Sequence, residues 1–202
     1  FDGIVSKKGF IASFKNGIPH GTWMVQHYLG IYYNGYYNTG IRDSIWSLSA
    51  GSGNGDRYFF SGPYINGKKE GVWVGANDAN ARGGTKVTYK SGIKHGLAIE
   101  EYYCCDEGSY ITGEYLERID SLNYNQGQLV NFSSSKFYKN GQLKTKEQRN
   151  SFELIKNNNC NEHYHPCLQI PVNKSSEIQY WDENGKLIKI ETYESGQLII
   201  KE

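Results

Sequence analysis

The chain has 202 residues, with 22 Lys plus Arg against 21 Asp plus Glu and a formal net charge of +1. That balance argues against a dedicated nucleic-acid binder, which usually carries a basic stripe, and offers nothing to draw the chain to anionic membranes. Mean hydropathy is −0.65, and no apolar run approaches the roughly 18 residues of a membrane span, which excludes a transmembrane helix.

What remains is the composition of many short strands and tight turns. Gly 24 and Asn 18 supply the turns, Tyr 17 and an aromatic content of 14% supply the strands, and Met occurs once. Phe1 in place of an initiator Met fits a mature secreted form after signal removal, or a trimmed chain.

Taken in chain order, an aromatic residue is followed three positions later by Gly again and again. The copies are Phe14 to Gly17, Tyr32 to Gly35, Tyr37 to Gly40, Phe59 to Gly62, Tyr64 to Gly67 and Tyr89 to Gly92. Tyr110 to Gly113, Tyr124 to Gly127, Tyr138 to Gly141 and Tyr193 to Gly196 follow, and Trp181 to Gly185 is one residue longer. Each is expected to close a β-hairpin, because Asn-Gly, Ser-Gly and Thr-Gly pairs supply the positive-φ positions of a tight turn. The structural turn glycines on this reading are Gly17, Gly40, Gly67, Gly92, Gly127, Gly141, Gly185 and Gly196.

Several copies continue alike. Phe14-Lys-Asn-Gly-Ile-Pro-His-Gly-Thr-Trp23 aligns with Tyr64-Ile-Asn-Gly-Lys-Lys-Glu-Gly-Val-Trp73. The copy from Tyr37 keeps Trp46 but has Ser44 for the second glycine; the copy from Tyr89 keeps both glycines and ends in Ala98. The second glycine (Gly21, Gly71, Gly96) is expected to let a neighbouring ring lie flat on the backbone. Lead glycines 17, 40, 67 and 92 are 23, 27 and 25 residues apart, one hairpin plus its connection per repeat.

Farther along, Leu116, Ile119 and Leu122 fit helical spacing as well as an irregular strand, and strand is preferred; Glu147 to Lys156 fits either. Between Gly185 and Gly196, Ile188 and Ile190 share one face of a strand while Lys189 and Glu191 share the other. A meander follows.

The aligned decapeptides resemble MORN-type repeats. Together with Tyr138-Lys-Asn-Gly-Gln-Leu143, Asn184-Gly-Lys-Leu187 and Tyr193-Glu-Ser-Gly-Gln-Leu198, they are most similar to the bacterial variant of the YwqK-like antitoxin family. The resemblance covers roughly residues 10 to 100 and 120 to 202. It implies an all-β, elongated, twisted antiparallel meander of repeated hairpins with loop insertions, and a non-catalytic protein-binding role, in particular a toxin-neutralising antitoxin or immunity protein. The chain departs from the repeat spacing between Gly92 and Gly127, 35 residues, and between Gly141 and Gly185, 44 residues. These intervals are read as insertions, at about 101–120 and 150–175, on a single domain of residues 1–202 with a weak subdivision near 101–109.

Chemistry-bearing residues are few. Cys160, His163, His165 and Cys167 cluster in Cys-Asn-Glu-His-Tyr-His-Pro-Cys and could supply four zinc ligands, but not at a standard knuckle spacing. A Cys160–Cys167 disulfide closing a small loop is preferred, and no cofactor is expected. Cys104 and Cys105 are expected on opposite faces of a strand, one able to bridge to that loop, with a vicinal redox pair as the less favoured alternative. His20 and His95 hold equivalent repeat positions and read as turn residues. Gly51-Ser-Gly-Asn-Gly55 lacks the Lys-Ser/Thr ending of a phosphate loop, and the spacing of Asp78, Glu100 and Glu101 pairs none of them for acid–base work.

The densest aromatic stretch, Tyr28, Tyr32, Tyr33, Tyr36, Tyr37 with Trp46, is either sheet core or an exposed partner-binding face. The expected function is therefore a protein-binding module whose partner is a toxin or effector. A secreted or cell-surface carbohydrate-binding protein is the alternative, and a zinc-dependent enzyme stands third. The paired cysteines place the chain in a secreted, periplasmic or surface setting, with a cytoplasmic one as alternative.

Overall fold

The computed structural model describes residues 1–26, 31–51, 57–76, 83–104, 115–155 and 170–201. These residues contain no helix and form sixteen strands in one open sheet. The strands are β1 (Gly3–Lys7), β2 (Phe10–Lys15), β3 (Ile18–Gln26), β4 (Ile31–Asn38), β5 (Ile41–Gly51), β6 (Arg57–Ile65), β7 (Lys68–Lys69) and β8 (Gly71–Ala76). They continue as β9 (Gly84–Lys90), β10 (Ile93–Cys104), β11 (Tyr115–Asn125), β12 (Gln128–Phe137), β13 (Leu143–Ile155), β14 (Ile170–Trp181), β15 (Leu187–Glu194) and β16 (Gln197–Lys201). Each pairs antiparallel with its sequence neighbour, except that β6 pairs with both the two-residue β7 and β8. Much of the two long intervals is strand: β10 runs to Cys104, β11 starts at Tyr115, and β13 and β14 reach Ile155 and Ile170.

Local chemistry sets two kinds of turn. In six hairpins the residue before the lead glycine also takes positive φ: Asn16, Thr39, Asn66, Ser91, Gln126 and Ser195, between 48° and 53°. Two successive positive-φ residues make a type I′ turn, whose twist matches that of the strands it joins. At Gly141 and Gly185 only the glycine is positive; its N–H donates to the carbonyl of Tyr138 or Asp182, at 2.9 and 3.0 Å. Those are type I turns with a glycine bulge. The turns are also stitched to one another. Gly40, Gly67, Gly92 and Gly127 donate their N–H groups to the carbonyls of Pro19, Arg42, Lys69 and Lys94, two residues past the preceding lead glycine.

Beyond each of the first repeats the ladder breaks. Ala12 pairs with Trp23 but Phe14 with Pro19, so three residues of β3 oppose one of β2; β5 and β10 repeat the break against β4 and β9. The second glycine sits in this bulge with φ of 91° at Gly21, 66° at Gly71 and 75° at Gly96, and Ser44 takes 60° in the same place. Backbone conformation, and not room for a ring, is thus what that glycine supplies: a Cβ on Gly96 would meet nothing within 4 Å. The bulge also frees a carbonyl, to which the next tryptophan's indole N–H donates: Trp23 to Ser13 (3.0 Å), Trp46 to Tyr36 (3.0 Å), Trp73 to Pro63 (3.1 Å).

The ring-bearing glycines lie elsewhere. Gly35 and Gly62, which the aromatic-to-Gly spacing places at turns, are mid-strand in β4 and β6. The Trp46 indole lies on Gly35 and the Trp73 indole on Gly62, at distances no side chain there would permit. Above them runs an unbroken chain of rings, Phe1, Phe14, Trp23, Tyr37, Trp46, Tyr64, Trp73 and Tyr89, with successive centroids 5.0 to 6.2 Å apart and mostly edge-to-face. Each such pair is worth about 0.5–1.5 kcal/mol beyond its buried area.

No second layer is needed for burial here. Large side chains stand in cross-strand rows and cover one another, and a single core cluster runs from Trp46 through Phe60, Trp73, Val87, Ala98 and Leu122 to Phe132. The chain of rings stops at Tyr89 because Ala98 replaces the tryptophan, and aliphatic side chains take over.

Candidate functional site

Strand alternation divides the aromatic stretch between the two faces. Tyr33 and Tyr37 point to the same face as Trp46, partly buried among the rings. Tyr32 and Tyr36 point to the other, 40% and 36% exposed. There the Tyr32 hydroxyl accepts a hydrogen bond from Gln26, and Tyr36 meets the edge of His20. The six candidates therefore do not form one surface, and Tyr28 lies outside the described residues. So do Cys105, Cys160, His163, His165, Cys167 and Asp78, while only the backbone of Cys104 is described, at the end of β10.

On the ring face, β4 to β8 enclose a groove of about 220 Å³. Its floor is Tyr33, Trp46, Leu48, Phe60, Tyr64 and Trp73, and two cations, Arg42 and Lys69, line it. The Arg42 guanidinium stands 4.6 Å from the Trp46 ring and 5.5 Å from that of Tyr64, whose hydroxyl accepts its hydrogen bond at 3.2 Å. Lys69 stands 4.6 to 5.0 Å from the rings of Trp73, Phe60 and Tyr89. Lys94 repeats the arrangement over Tyr124 at 5.5 Å. All three sit two residues past a lead glycine and directly opposite the aromatic that precedes it: Tyr37 with Arg42, Tyr64 with Lys69, Tyr89 with Lys94. Cation–π attraction of about 0.5–1 kcal/mol holds each head group over its ring.

The same face changes character after β9. Glu100 stands opposite Asp120, Asp120 opposite Ser134 and Ser134 opposite Glu147. One step along, Tyr102 faces Arg118. Asp120 accepts a hydrogen bond from the Ser134 hydroxyl at 2.6 Å and lies 3.4 Å from Arg118 Nε. Arg118 in turn lies 3.8 Å from the centre of the Tyr102 ring. Burial lifts the Glu100 carboxyl above the usual carboxylate range; the Tyr102 hydroxyl opposes this and Asp120 adds to it. Burial, then Glu100, pushes Tyr102 upward as well.

At the far end Glu191 is 6% exposed and accepts hydrogen bonds from Lys189 (2.8 Å), Tyr180 (2.8 Å) and Tyr193 (2.9 Å), which hold its pKa at about 2. The polar members of the Leu187–Glu194 strand thus lie inward, and Ile188 is 60% exposed. Sequence spacing missed these clusters because only the register between strands shows which polar side chains come to stand side by side on one face.

A scan against protein-family models finds no match, and neither does a search of the curated proteins.

Proposed function

We propose that the chain is a non-catalytic repeat scaffold that binds another protein through the ring-face groove between β4 and β8. The observation that carries this reading is the pair of cations, Arg42 and Lys69, stationed over a floor of packed rings on one open face of the sheet. Arginine and large aromatics dominate binding energy at protein interfaces, since they bury much area and lose little freedom when already held in place. Here the rings are locked by neighbours and by indole hydrogen bonds, so a partner meets a preorganised surface.

Within this reading the partner class is the one implied by the resemblance to MORN-type antitoxin repeats, a toxin or effector protein. Sugar stacking fits the groove less well. A sugar needs an open ring face, whereas Trp46 and Trp73 are 6% and 3% exposed, with glycine backbone beneath and a cation above.

The test is capture from the native source with the full chain immobilised, comparing wild type, the groove variant Arg42→Gln/Tyr33→Ala and the opposite-face variant Ile45→Ser. A partner held by wild type and Ile45→Ser but lost from the groove variant supports the reading, and growth rescue on co-expression with that partner identifies it as a toxin. Equal capture by all three chains rejects the groove as the interface.

A further inference from the structure

The core cluster lies on the ring face of the sheet, and the opposite face is open. That open face has its own register row, which runs from Ser6 on β1 through Met24, Asn34, Ser47 and Ser61 to Val74 on β8. A second row beside it joins Gln26, Tyr32, Ser49, Phe59 and Ala76. Strand alternation puts Ile4, Tyr36, Ile45 and Val72 on the same face. None of these residues is charged. Among the described residues, charge begins at the margins. Lys15 and Lys68 stand at turns, Arg57 opens β6, and the first row turns charged at Lys86 on β9. The carboxylates at the turn margin, Asp2, Asp43 and Glu70, already accept the backbone N–H groups of Asn16, Ser44 and Ser91.

Large apolar side chains project from this face. Ile4, Met24, Tyr32, Tyr36, Ile45, Phe59, Val72 and Val74 are 36% to 67% exposed. Together they leave on the order of 800 Å² open, the share that each partner brings to a standard interface. Contiguous apolar patches of this size mark interaction surfaces. The polar side chains between them are short, and the Ser47 hydroxyl donates to Asn34 at 2.7 Å, so this pair enters an interface with its hydrogen bond kept.

Charge and twist select the occupant. In a two-fold contact one patch meets itself, so a charge near the axis faces its like. A patch without charge from β1 to β8 avoids that penalty. A layer stacked on a twisted sheet must also share its twist, because packed sheets keep their strands within about 30° of one another. A second copy brings the same twist. We infer that two copies of this chain pack back to back through the open face of β1 to β8, as a two-layer sandwich related by a two-fold axis. The ring faces then point outward, one on each side of the dimer, and the pairing holds whatever the groove binds.

Sedimentation velocity of the full chain from about 1 to 100 μM tests this. The expected mass at the upper end is twice the 22.9 kDa of one chain. Ile45→Glu and Val72→Glu each place a carboxylate in the contact, twice over by symmetry, and each should raise the dimer dissociation constant about a hundredfold. Both positions are more than half exposed, 60% and 53%, so the single chain tolerates the charge, and circular dichroism checks that each variant keeps the wild-type strand signal. Tyr33→Ala, on the ring face, should leave the dimer unchanged. A dimer that dissociates with either glutamate and not with Tyr33→Ala supports the inference. A wild type that keeps the mass of one chain at about 100 μM overturns it, whether or not its open face captures a different protein. A dimer that survives both glutamates, or that Tyr33→Ala dissolves, overturns it as well, since the sheet edges or the ring face then hold the copies together.

Discussion

Placing a methyl group on Gly62 tests the central packing device of the fold. Gly62 is buried in β6 with an ordinary strand conformation, so the backbone accepts alanine. On conformational grounds alone Gly62→Ala gains about 0.5–1 kcal/mol. The new Cβ, however, falls inside the envelope of three Trp73 atoms, Cγ, Cδ2 and Cδ1, the last at 2.5 Å, where carbon contacts ordinarily begin near 3.5 Å. The ring has nowhere to retreat: it is 3% exposed, edge-on to Tyr64 at 5.2 Å, beneath Lys69 at 4.6 Å, and tied by its N–H to Pro63. Overpacking of about 1–3 kcal/mol and a lost hydrogen bond of about 1 kcal/mol leave a net destabilisation of about 2–3 kcal/mol. Urea unfolding followed by far-ultraviolet circular dichroism measures it. In a Trp73→Leu background the obstacle is gone, and the same glycine substitution should be neutral or mildly stabilising, a coupling of roughly 2–4 kcal/mol. An equal loss in both backgrounds would refute the argument, as would a stabilising effect in the wild type. Gly35→Ala with Trp46→Leu repeats the cycle one hairpin earlier.

Thr39 holds φ of 48°, a poor place for a β-branched residue, and Thr39→Asn should raise stability by about 1 kcal/mol in the same unfolding assay. Ser44, at 60° where the other repeats carry glycine, should behave likewise, with Ser44→Gly stabilising by about 0.5–1 kcal/mol. Glu191, whose pKa of about 2 lies below its unfolded value, adds stability above about pH 5 that is lost as pH falls toward 2. Glu191→Gln should therefore lower the thermal midpoint at pH 7 and flatten its decline in acid; an unchanged pH profile would show that the Lys189–Tyr180–Tyr193 cradle contributes nothing.

Particular residues show where reading the chain succeeds and where it stops. Phe14 to Gly17, Tyr37 to Gly40 and Tyr64 to Gly67 are legible because a type I′ turn demands two positive-φ residues, a condition written in adjacent letters. Tyr32 to Gly35 and Phe59 to Gly62 share the spacing for another reason: their glycines are mid-strand seats for an indole eleven residues on. Spacing alone does not separate a glycine needed for φ from one needed for space. The aromatic stretch was visible as a stretch, but the groove also draws on Arg42, Phe60, Lys69 and Trp73 from later strands, and it excludes Tyr32 and Tyr36 by alternation.

From its sequence alone this protein is a succession of ring-bearing hairpins, because turn dihedrals and the two-residue alternation of a strand are local properties of the backbone. Which rows those hairpins form was decided by the sheet. The bulges at Gly21, Ser44 and Gly96 reset the register within the repeats, and the long connections leave it open elsewhere. Only the assembled register therefore sets Glu100 against Asp120 and brings Arg42 over Tyr64, Lys69 over Phe60, Trp73 and Tyr89, and Lys94 over Tyr124, all rings of other strands.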